Sequence, residues 1–79
     1  MTLLEGVRGK CYSVQDIELE EQLKRRLQML GLTQGTQIEV LNCKKGGSVI
    51  FKVRGTRFAI GKTTAKGILI GGEKDGKDN

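Results

Sequence analysis

Asp16, Glu18, Glu20 and Glu21 crowd one short stretch of the chain, with Glu39 further on, and they are the side chains best suited to chemistry. Carboxylate oxygens take divalent ions, and ferrous iron would bind weakly to such a set. The start of an amphipathic helix explains the same residues without a ligand, because acidic side chains are favoured at the positive end of a helix dipole. The chain has no histidine, so the commonest nitrogen ligand and neutral-pH general base is missing. Cys11 and Cys43 are far apart in sequence and form no CxxC pair. Each reads as a small strand residue, and a reducing compartment leaves both as thiols. Ser13, Ser48 and the threonines lack an imidazole partner, which removes the usual route to a nucleophilic hydroxyl. The expectation is a protein that is not an enzyme, with no bound cofactor and no preformed metal site.

Two further features weigh on function. Lys45, Gly46, Gly47 and Ser48 resemble a phosphate cradle in composition only, and neither the Walker A spacing nor GxGxxG is present. They read as a hairpin loop. Fourteen Lys and Arg against nine Asp and Glu give a net charge of +5, which favours acidic partners of any kind. Lys52, Arg54 and Arg57 fall on the outer face of an expected hairpin, with Lys44, Lys45 and Lys62 at its ends. Such a row could track phosphates. Single-strand binders interleave exposed aromatics with the cations, whereas Phe51 and Phe58 alternate with them and point inward, so nucleic acid is not the expected partner.

The elements that must carry these residues follow from period. Leu19, Leu23, Leu27 and Leu30 recur at steps of four, four and three, which places them on one side of a helix. Gly31 suits the left-handed position that ends it, and Leu32 then folds back on the last turn. Thr33, Gln34 and Gly35 read as a tight turn into a strand from about Thr36 to Lys44, with Ile38 and Val40 inward. An earlier short strand covers about Lys10 to Val14, burying Tyr12 and Val14. Ser48 to Arg54 alternates, with Val49, Phe51 and Val53 on one face. Gly55 and Thr56 suggest a two-residue II′ turn before Arg57 to Gly61 returns with Phe58 and Ile60 inward. Ala65 and Ile68 suit a single helical turn, and a last strand lies near Ile68 to Ile70.

Seventy-nine residues with twelve glycines and three aromatic residues make one small domain with closely spaced reversals. The fold class is mainly β with one inserted α-helix, a small SH3-like β-barrel of about five strands whose helix covers an open end. Residues 1–70 form that domain. From Gly71, GGEKDGKDN carries no apolar residue, so 71–79 is expected to be a disordered tail. No run reaches the roughly 18 apolar residues of a membrane span, and the N-terminus lacks a signal-peptide core. A cytoplasmic location without membrane insertion is expected.

The run LKRRLQMLGLTQGTQIEVL, then VRGTRFAIG, then Ala65 with Ile68 and Ile70, resembles the FeoA family of bacterial ferrous iron uptake over about residues 7–70. Leu30, Gly31, Leu32, Gly35, Ala59, Ile60, Ala65, Ile68 and Ile70 occupy the family pattern, with Gln34 where proline is frequent. The resemblance implies a stand-alone SH3-like barrel of a transition-metal-associated family. Its implied partner is FeoB, a membrane transporter with a cytosolic G-protein domain, and its implied role is modulation of transport. A nucleic-acid-binding SH3-like module or a weak transition-metal sensor is the alternative. Docking is expected on the exposed helix side and its turn, at Arg25, Arg26, Met29 and Leu32, together with the outer hairpin at Arg54 and Arg57. Met29 lies off the leucine stripe, which suits either a partner contact or an adaptable cover over the barrel end.

Overall fold

The computed structural model describes residues 1–43 and 47–75. A 3₁₀ turn at Leu3–Glu5 precedes β1 (Lys10–Ile17), α1 (Glu21–Met29), β2 (Gln37–Cys43), β3 (Ser48–Val53), β4 (Thr56–Gly61), α2 (Lys62–Ala65) and β5 (Ile68–Asp75). The five strands form one sheet in the order β4-β3-β2-β1-β5, every pair antiparallel. The expectation of a mainly β protein with one principal helix and five strands is met.

Alternation decides which side of the sheet is buried. Tyr12 and Val14 of β1, Ile38 and Val40 of β2, Val49, Phe51 and Val53 of β3, and Ile68 and Ile70 of β5 form one continuous core. Leu3, Leu27, Leu32 and Ala65 join them from outside the strands. Phe58 and Ile60 of β4 pack against this core while remaining partly accessible, and the Phe58 ring stacks on Phe51 at 5.8 Å between centroids. Three bulges curve the sheet: Leu41 is extra in β2, Gln15 is extra in β1, and Gly72 with Glu73 stands opposite the single Tyr12. Gly72 has φ +67°, the left-handed conformation a glycine bulge requires.

The last strand corrects one expectation. Residues 71–75, assigned to a tail because they lack apolar side chains, continue β5 and pair with β1, Ser13 facing Gly71 and Lys10 facing Asp75. Backbone hydrogen bonds to a neighbouring strand do not need apolar side chains, and composition is silent about them. Residues 76–79 and the loop residues Lys44, Lys45 and Gly46 lie outside the described residues.

The β3–β4 turn is also displaced from the expected place. Val53 pairs with Thr56, so the central residues are Arg54 and Gly55, at φ +50° and +84°. Two positive values make this a I′-like turn, whose twist matches that of the flanking strands, rather than the II′ turn expected at Gly55 and Thr56. The register places Phe51 directly opposite Phe58.

Helix α1 starts later than its leucine pattern suggests. Glu20 is the N-cap, while Asp16 lies in β1, where its carboxylate accepts the N–H of Ile17 at 2.8 Å. Asp16 therefore does not belong to the helix start. The helix ends as expected: Gly31 takes φ +108°, the Leu32 N–H donates to the Leu27 carbonyl at 3.0 Å, and the Gly31 N–H donates to the Gln28 carbonyl at 3.0 Å. These two bonds define a Schellman ending. Thr36 N–H then donates to the Thr33 carbonyl at 3.0 Å across a turn with Gly35 at φ +88°, as a type II turn demands.

Candidate functional site

The end of α1 comes close to the β3–β4 turn, and exposed residues with functional potential lie on both elements. The helix stop sets this meeting: a Cβ placed on Gly31 would lie 3.7 Å from Val53 Cγ1 and 4.0 Å from Arg54 Cδ. Glycine at this position therefore rests directly against the hairpin tip. Immediately before it, Met29 is 86% exposed and Leu30 is 52% exposed.

Leu30 was expected in the core as the last member of the leucine stripe. The Schellman ending explains its release. The C″ residue of such an ending returns to the C3 residue, here Leu32 to Leu27, and both of these are buried. Leu30 sits at the C-cap with the helix already turning away. The signal was present in the sequence, since Leu30 and Leu32 flank one glycine and the ending has room on the core side for only one of them.

The same geometry removes Leu32 from the accessible docking set, because its side chain is 1% exposed and lies within the core. Arg25 and Arg26 are exposed, as expected. Arg25 Nε lies 3.3 Å from Glu21 Oε2, one helical turn earlier, with both side chains largely in solvent. Such a pair contributes a few tenths of a kcal/mol, about 0.3–0.5, and leaves the arginine able to change partners. Arg54 and Arg57 are exposed on the hairpin. Arg57 faces Lys52 across β3–β4, and Lys52 faces Glu39 across β2–β3. The Lys52 ammonium lies 3.8 Å from a Glu39 oxygen, so the carboxylate relieves the like-charge pairing in this row.

Other candidates disperse. Glu39 stands in the middle of the sheet with Lys52, and Asp16 is in β1, away from Glu20 at the helix cap. Among the described residues, no three of His, Cys, Asp and Glu stand close enough to hold a metal ion. Cys11 lies in β1 opposite Glu39, and Cys43 ends β2. No pocket is found among the described residues. No helix among them is long and apolar enough to cross a membrane. What remains is a surface of exposed arginine and aliphatic side chains, which suits contact with another macromolecule.

The FeoA domain profile matches residues 1–71. The chain belongs to the FeoA family. Solved FeoA structures share its fold. An iron uptake regulatory protein (FeoA) is 32% identical, with a TM-score of 0.82 over 94% of this chain and 96% of its own. FeoA of Chlorobium tepidum is 28% identical, with a TM-score of 0.83 over 90% of this chain and 69% of its own. FeoA of Stenotrophomonas maltophilia, in complex with zinc, is 26% identical, with a TM-score of 0.79 over 96% of this chain and 98% of its own. That protein is described as an SH3 domain protein and as a candidate ferrous iron transport activating factor. The five-stranded antiparallel arrangement in this chain is accordingly an SH3-like one. No curated protein matches the sequence.

Proposed function

We propose that this FeoA-family protein is a small cytosolic accessory factor of ferrous iron uptake that docks on the cytosolic G-protein domain of a FeoB-type transporter and modulates transport. The observation that carries the reading is the family match over residues 1–71, together with relatives described as an iron uptake regulatory protein and a transport activating factor. The chemistry of the surface supports it. Exposed Met29 and Leu30 offer apolar area, and Arg25, Arg26, Arg54 and Arg57 offer charge, without a pocket for a substrate among the described residues. The role is that of a binding module and not of an enzyme.

Ferrous ion enters this reading as cargo of the transporter. The zinc found with the Stenotrophomonas relative has no counterpart here in a converging donor set among the described residues. Carboxylates near the helix start would at most give weak, exchangeable binding.

The test is a pull-down of the purified protein with the cytosolic domain of a FeoB-type transporter. Association is expected from a folded sample. A folded sample that shows no detectable association removes the docking role.

A further inference from the structure

We infer that the end of α1 and the tip of the β3–β4 hairpin act as one composite docking surface, and that its occupant is an acidic protein segment carrying an apolar side chain. This deepens the docking role proposed above and rests on it. Three observations on separate elements converge.

The first is contact. A Cβ on Gly31 would stand 3.7 Å from Val53 Cγ1 and 4.0 Å from Arg54 Cδ, so the helix stop and the hairpin tip adjoin. The second is exposure. Met29 and Leu30, the two residues before Gly31, are the exposed large aliphatic side chains of the helix, while Leu27 and Leu32 on either side are buried. An apolar pair left out beside a packed core has area to give to a partner. The third is charge. Arg25 and Arg26 lie five and four residues before Leu30, Arg54 stands at the tip, and Arg57 follows it on β4. Residues 24–32 and 52–57 contain no carboxylate at all. Glu21 pairs with Arg25 at 3.3 Å, both largely in solvent, and Glu39 with Lys52 at 3.8 Å.

Arg54 adds a specific reason to place the tip in the surface. It is the one described non-glycine residue at positive φ, +50°, in a turn position where asparagine, aspartate or glycine meets the geometry at lower cost. The turn geometry by itself does not call for arginine there. An exposed guanidinium is well suited to a two-pronged hydrogen bond with a carboxylate.

Complementarity selects the occupant. Carboxylates answer the arginines, and an apolar side chain answers Met29 and Leu30. A nucleic acid would want exposed aromatic faces, whereas Tyr12 and Phe51 are fully buried and Phe58 is stacked on Phe51. An anionic lipid surface would draw on charge without needing the apolar pair beside it.

The test compares wild-type protein with Arg54→Asn and Met29→Gln in binding to the transporter's cytosolic domain at low and high salt. Arg54→Asn suits the turn better than arginine, and thermal unfolding of both variants separates a fall in binding from misfolding. Each variant is expected to weaken binding roughly tenfold, and raising salt should weaken the wild type more than Arg54→Asn. Wild-type binding that both variants retain in full overturns the composite surface while leaving the docking role standing. Absence of wild-type binding overturns both. Single-stranded RNA and phosphatidylserine vesicles serve as competing probes. Arg54-dependent binding to either of them, with none to the domain, also overturns the inference.

Discussion

Gly67 and Gly31 each stand where a helical turn gives way to extended chain, yet they need glycine for opposite reasons. At Gly67, between α2 and β5, a Cβ would come within 2.7 Å of the Glu18 carbonyl oxygen and would drive into the Leu19 side chain. Its own φ is not positive. The carbonyl of Gly67 also accepts the Glu18 N–H at 2.6 Å, which ties the two segments together. Glycine is there for space. At Gly31 the neighbours Val53 and Arg54 stay at ordinary contact distance, and the demand is conformational, φ +108°. One junction is filled by Leu19 and the Glu18 carbonyl. The other makes a corner whose outer side remains open, and that corner carries Met29, Leu30 and Arg54.

The difference is best broken by alanine. Gly67→Ala must shift backbone as well as Leu19, and overpacking of this kind costs about 2–3 kcal/mol. For a domain of this size that lowers the melting temperature by roughly 10–20 °C. Gly31→Ala meets no clash and suffers only the backbone penalty, about 1–2 kcal/mol, on the order of 10 °C or less by the same conversion. Thermal unfolding of the two variants decides the matter. A Gly31→Ala loss larger than that of Gly67→Ala would mean that the corner, not the filled junction, is the tighter part.

Much of this was legible in residue order. The Leu23 and Leu27 spacing, the glycine stop and the alternation of Ile38 and Val40 with polar residues each have one local solution and each is found, whereas Leu19 precedes the helix and Leu30 is exposed. What escaped was set by pairing between distant segments. Residues 71–75 join β1 through backbone hydrogen bonds, which side-chain composition does not report. The β3–β4 register follows from Phe51 meeting Phe58, and that moved the turn by one residue onto Arg54. The proposed docking surface was half visible. Arg25, Arg26, Met29, Arg54 and Arg57 were in view as exposed side chains, whereas Leu30 and Leu32 exchanged roles because the helix ending returns only one of them to the core.

The corner can next be sharpened without damage to the fold. Asparagine followed by glycine is the favoured pair for a I′ turn, so Arg54→Asn should relieve the positive-φ penalty at this position. A gain of about 0.5 kcal/mol is expected, seen as a rise in melting temperature of roughly 2–4 °C. The sign matters more than the size. A fall would show that the Arg54 side chain, lying against the Gly31 backbone, supports the corner structurally and is not held there only for an outside contact.

Met29→Gln is the smallest change and isolates the apolar part of the corner. With 86% of the residue in solvent, replacement by a polar side chain of similar length and good helix propensity should leave stability within about 0.5 kcal/mol. Thermal unfolding should therefore superimpose on that of the wild type within roughly 4 °C. A larger loss would mean that Met29 covers core in solution, and would return it to the packed side of the comparison with Leu27 and Leu32. An unchanged melting temperature leaves its thioether free, at the place where the helix has finished with its own core and still presents an aliphatic side chain.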